Sequence, residues 1–64
     1  MANWALVKYE YDADDNLIYL GMAKEPDKNE NSDGWYIKKY TWVGGNMVQK
    51  QKKTGAWSKR STGW

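Results

Sequence analysis

The chain has 64 residues, with five Trp, five Tyr, six Gly, one Pro and neither Cys nor His. A chain this short buries only about 60% of the surface it exposes when unfolded, which allows one small core, and the missing Cys and His exclude disulfides and the common zinc sites. Ten Lys and Arg against eight Asp and Glu leave a net charge of +2, and no apolar run approaches the roughly 20 residues that span a bilayer, so no membrane role is expected.

Residues 3–11 alternate Ala5, Val7, Tyr9 and Tyr11 against Trp4, Leu6, Lys8 and Glu10, a period of two that predicts a strand. The opening Met1-Ala2-Asn3 carries no basic segment, long apolar stretch and cleavage site, so no signal peptide is expected and synthesis in a cytoplasm is. Residues 12–16, Asp-Ala-Asp-Asp-Asn, are turn formers that close a hairpin. Residues 17–23 form the second strand, with Leu17, Tyr19 and Gly21 on one face and Ile18, Leu20 and Met22 on the other. Both faces are apolar, as in a central strand or one covered on its second side by another element or another chain.

Residues 24–34 hold no apolar side chain beyond Pro26 and carry Glu25, Asp27, Glu30 and Asp33. They read as an acidic, mobile, solubilising loop, with contact to a neighbour as the second reading. Alternation resumes at 35–42, where Tyr36, Lys38, Tyr40 and Trp42 oppose Trp35, Ile37, Lys39 and Thr41. Residues 43–46, Val-Gly-Gly-Asn, supply the positive φ of a tight reversal. Residues 47–53 make a strand polar enough to belong at a sheet edge, where lysines discourage pairing with other chains. Residues 54–64 are an arm or a short last strand, with Trp57 and Trp64 flanking Lys59 and Arg60. The expected fold is all-β: one domain over 1–64, an antiparallel meander or small barrel of four to five strands, without substantial helix.

The charge is split along the chain. Residues 1–34 hold every acid and a net charge of −5, whereas residues 35–64 hold no acid and a net charge of +7. Either a basic surface awaits an acidic partner, or the halves interleave in the fold and neutralise each other locally.

Enzymatic chemistry is poorly supplied. Without His or Cys, the usual general base near neutral pH and the usual thiol nucleophile are both missing, and exposed turn carboxylates such as Asp12, Asp14 and Asp15 are poor acids and bases at pH 7. Asp12, Asp14 and Asn16 imitate the start of a calcium loop, but Leu17 and Ala23 stand where its glycine and bidentate acid belong. No cofactor, metal or catalytic residue is expected. Aromatics among the lysines (Trp35, Tyr36, Tyr40, Trp42 and Trp57 with Lys38, Lys39, Lys50, Lys52, Lys53, Lys59 and Arg60) would suit a small nucleic-acid-binding barrel. A core built from Trp and Tyr is favoured over that reading, because Phe is absent and aliphatic mass is scarce.

The order Tyr11 to Asn16, Ile18-Tyr19-Leu20-Gly21-Met22-Ala23, a polar loop, Trp35-Tyr36-Ile37-Lys38-Lys39-Tyr40-Thr41-Trp42, a Gly/Asn turn and a closing Trp57 resembles a group of short proteins encoded by tailed bacteriophages. In that group an acid-rich turn, I-Y-x-G-x-A, a polar loop, W-x-I-K-K-x-T-Y and a G-N turn follow one another. The group tends to continue with acids after the last tryptophan, where this chain has Ser58-Lys59-Arg60. The resemblance implies a small all-β virion component. The expected role is a capsid decoration or cement protein in many copies or as a homo-oligomer, partnered by the major capsid protein or another virion protein, with a tail or neck part and a nucleic-acid binder as alternatives. Expected interface residues are Trp4, Trp57, Trp64, Lys50, Lys52, Lys53, Lys59 and Arg60.

Overall fold

A computed structural model describes residues 4–64, so Asn3 of the expected first strand lies outside the described residues, as does the Met1-Ala2-Asn3 opening. Four strands, β1 (Leu6–Tyr11), β2 (Leu17–Ala23), β3 (Trp35–Val43) and β4 (Asn46–Gly55), pair antiparallel in the order β1-β2-β3-β4, a simple meander. The expected all-β class holds. The only helix among the described residues is one 3₁₀ turn, Trp57–Lys59.

Each connection follows from its residues. Asp12 closes the first hairpin: one carboxylate oxygen accepts the backbone N–H groups of Asp14 and Asn16, both at 2.9 Å, while Asp15 takes φ 63°, a left-handed conformation Asp tolerates. These donors favour the anion and hold the Asp12 carboxyl below the usual carboxylate range, the Asn16 N–H contributing most. Gly44 and Gly45, at φ 57° and 81°, make the two-residue turn between β3 and β4, which demands positive φ at both positions. β4 runs to Gly55, two residues beyond the expected strand, so the arm starts at Ala56 instead of residue 54. The expected edge position of this polar strand is observed.

The acidic loop between β2 and β3 makes contacts with the rest of the fold. It is exposed but tied down: Glu30 accepts the Ser58 N–H at 2.9 Å and pairs with Lys8 at 2.8 Å, and the Trp35 indole N–H donates to the Asn29 carbonyl at 3.0 Å. A Trp that must bury its ring but satisfy its N–H does so by holding the loop in place.

Register defines the two sheet faces. On the inner face stand Leu6, Lys8 and Glu10, then Tyr19, Gly21 and Ala23, then Trp35, Ile37 and Lys39, and finally Gln51 and Lys53. The arm folds back over this face. Trp57, only 5% exposed, lies against Gly21, where a Cβ would come within 2.4 Å of its ring, and 6.0 Å from the ring of Trp35. Ala23, Trp35, Ile37 and Trp57 form the core, flanked by Leu6, Tyr19 and Trp64. The radius of gyration is 12.1 Å, above the about 11 Å of a compact chain of this length, as suits a sheet covered on one side only.

Candidate functional site: the open face of the sheet

The opposite face has no covering element among the described residues. Register sets it out in rows: Val7, Met22, Tyr36 and Thr54 in one, Tyr9, Leu20, Lys38 and Lys52 in the next, and Tyr40 beside Lys50 beyond them, with Tyr11 at the β1 edge. Tyr9 and Tyr11 are more than half exposed, at 57% and 55%, and Tyr36 is 41% exposed. Such a sheet should hide its apolar stripe inside and leave its charged stripe outside. In β1 the reverse holds: Val7, Tyr9 and Tyr11 face outward while Lys8 and Glu10 face inward. Two ion pairs explain the inward charges, Lys8 with Glu30 of the loop and Glu10 with the arm's Arg60, at 2.5 Å.

The face is divided. Its β1–β2 half is apolar, and its β3–β4 half mixes tyrosines with Lys38, Lys50 and Lys52. None of these three lysines is in an ion pair among the described residues, and the face contains no carboxylate. Over β3 and β4, bordered by Trp4 and by Met22 of β2, lies an open cleft of about 600 Å³ whose lining includes Tyr36, Lys38, Lys52 and Thr54. The Trp4 ring leans over that of Tyr36 at 4.9 Å and 60°, forming one wall. This arrangement can take up an apolar side chain and offer cations beside it.

The expected interface residues divide between the two faces. Trp4, Lys50 and Lys52 belong to the open side. The expectation that Trp57 anchors an interface is corrected: it is the central core residue, because Gly21 leaves a slot that only a ring can fill. Trp64 also packs inward, 6.5 Å from Tyr19, with its indole N–H donated to the Arg60 carbonyl and the Lys53 ammonium 4.5 Å from its ring centre. Lys53 donates to the carbonyls of Thr62 and Lys59, and Arg60 lies 4.7 Å over Trp57, so both cations hold the arm. Lys59 is exposed on the arm, away from the open face. Local neutralisation therefore accounts for Arg60, and the open-face lysines escape it. The aromatics likewise divide: Trp35 and Trp57 are core, and Tyr9, Tyr11 and Tyr36 are surface. Sequence reasoning assigned no interface role to Tyr9, Tyr11 and Met22; the usable signal was the apolar second face of β2.

A scan against models of protein families, a search of curated proteins and a search of solved structures each return no match for the chain.

Proposed function

We propose that the chain is a non-catalytic structural component of a tailed-phage virion, a capsid decoration or cement protein that docks on the major capsid protein or another virion protein through its open sheet face. The observation that carries this reading is that face itself: a 64-residue domain leaves Val7, Tyr9, Tyr11 and Tyr36 exposed on one surface. Contiguous apolar surface of this kind marks interaction sites. Small domains gain from a partner the buried area that they cannot supply alone. The sequence resemblance to short phage proteins supports the same reading and adds the location, the virion, after synthesis in the host cytoplasm.

Quantitative mass spectrometry of purified particles tests it. A decoration role requires copy number comparable to that of the major capsid protein; a handful of copies per particle assigns the chain to the tail or neck instead, and absence from particles refutes the reading. A second reading, a binder of single-stranded nucleic acid, has one specific feature in its favour, the sharing of a face by Lys38, Lys50 and Lys52 with Tyr36 and Tyr40.

A further inference from the structure

We infer that the occupant of the open face is an acidic, extended protein segment, its apolar side chains seated on Val7, Leu20, Met22 and the Trp4–Tyr36 cleft and its carboxylates on Lys38, Lys50 and Lys52. The inference deepens the docking reading above and rests on it.

The lysines carry the argument. Lys38 and Lys52 stand directly opposite each other on β3 and β4. Like charges in that position oppose sheet formation. Protection of an exposed edge explains a lysine on β4 but not one on β3, which has paired neighbours on both sides. Nothing among the described residues compensates the pair. A ligand that brings carboxylates does, and it gains charge-assisted hydrogen bonds as well.

The division of the face selects among occupants. The open face of a second copy brings no carboxylate: turned about an axis along the strands, it sets its lysines on the partner's apolar half, and turned about an axis across them, lysine meets lysine. Nucleic acid supplies anions, but the exposed aromatics Tyr9 and Tyr11 lie against each other at 6.4 Å on the far strand β1, aliphatic Val7, Leu20 and Met22 separate them from the lysines of β3 and β4, and Trp4 already leans over Tyr36. Alternating acidic and apolar side chains match both halves at once, with apolar groups buried and carboxylates at the rim.

The test uses the full chain at about 150 mM salt. It is titrated with a capped heptapeptide of alternating Glu and Leu, with the same peptide carrying Gln for Glu, and with a short oligothymidylate, followed by tryptophan fluorescence and backbone amide shifts. The Glu peptide is expected to bind, to shift the amides of Met22, Tyr36, Lys38 and Lys52, and to bind at least about tenfold more weakly to Lys38→Glu and Lys52→Glu. Each substitution turns a like-charge pair into an opposite-charge pair, so the unfolding temperature of each variant should rise by about 1–8 °C while binding falls. Loss of binding through misfolding predicts the opposite shift. Equal binding of the Gln peptide, or no binding of the Glu peptide, overturns the inference. Tighter binding of the oligothymidylate with loss in Lys52→Glu overturns it in favour of nucleic acid. If the chain is abundant in particles and the Glu peptide does not bind, this inference fails and the virion reading stands; if the peptide binds and particles lack the chain, the reverse holds.

Discussion

Gly21→Ala is the smallest change that tests how this core is built. Gly21 sits in the middle of β2 with the six-membered ring of Trp57 laid against its backbone, and an added Cβ would lie 2.4 and 2.5 Å from two ring carbons. Carbon atoms attract best at about 3.5–4.0 Å, so the ring must retreat by roughly an ångström. It has little room to do so, because Trp35 stands 6.0 Å away on one side and the Arg60 guanidinium 4.7 Å over the ring. Overpacking of this kind costs about 1–3 kcal/mol. Replacing glycine in a strand returns roughly 0.5–1 kcal/mol of backbone entropy, so the net destabilisation is on the order of 1–2 kcal/mol. A domain of this size unfolds about 4–8 °C lower per kcal/mol lost. Thermal unfolding followed by far-ultraviolet circular dichroism should therefore show a Tm lower by about 4–16 °C. A double-mutant cycle with Trp57→Phe sharpens the test, because a smaller ring relieves the clash and the two changes should couple by about 0.5–3 kcal/mol. A Gly21→Ala variant as stable as the parent, or strictly additive effects, would refute the packing of Trp57 on Gly21.

Two further outcomes follow from the same geometry. Trp57→Ala removes the centre of the core at a cost of about 3–5 kcal/mol, comparable to the whole stability expected of a domain this small, so its amide NMR spectrum at 25 °C should collapse to unfolded dispersion. Asp12→Ala removes the acceptor of two turn N–H groups and should lower Tm; because the folded state holds this carboxyl below its usual range, its contribution is complete above about pH 4 and is lost as pH falls through the depressed value. Unfolding curves measured across the acid range should accordingly show a weaker acid-side decline in Asp12→Ala than in the parent chain, and equal declines would contradict the assigned role.

The meander was legible because its signals are local. Strand alternation and the chemistry of Asp12–Asn16 and Gly44-Gly45 act within a few residues, and a short chain with adjacent hairpins has few ways to pair them. The choice of inner face was not legible. In β1, Val7, Tyr9 and Tyr11 are the more hydrophobic stripe, yet Leu6, Lys8 and Glu10 face the arm, since Glu30 and Arg60, 22 and 50 residues away along the chain, neutralise Lys8 and Glu10. No period in β1 encodes partners that distant. Trp57 was misassigned for a related reason: only the register that sets Gly21 beside Ile37 creates its slot.

Coverage of the sheet is a problem this chain solves once. The arm from Ala56 to Trp64 spends Trp57 and Trp64 on the inner face and is fixed there by Lys53, Arg60 and the Ser58 N–H, so nothing in the arm is left to close the outer one. Lys53 and Arg60 hold the arm, Lys39 lies beside Trp64 on the inner face and Lys59 is exposed on the arm itself, which is why a basic half with seven positive side chains presents only Lys38, Lys50 and Lys52 on the open face. A sheet facing solvent alone would favour Thr, Glu and Lys alternating on that surface, since opposite charges across strands stabilise it and like charges do not. The sequence instead places Tyr and aliphatic residues on β1 and β2 and opposed lysines on β3 and β4, choices that cost the isolated fold and that the acidic, apolar segment proposed above would offset.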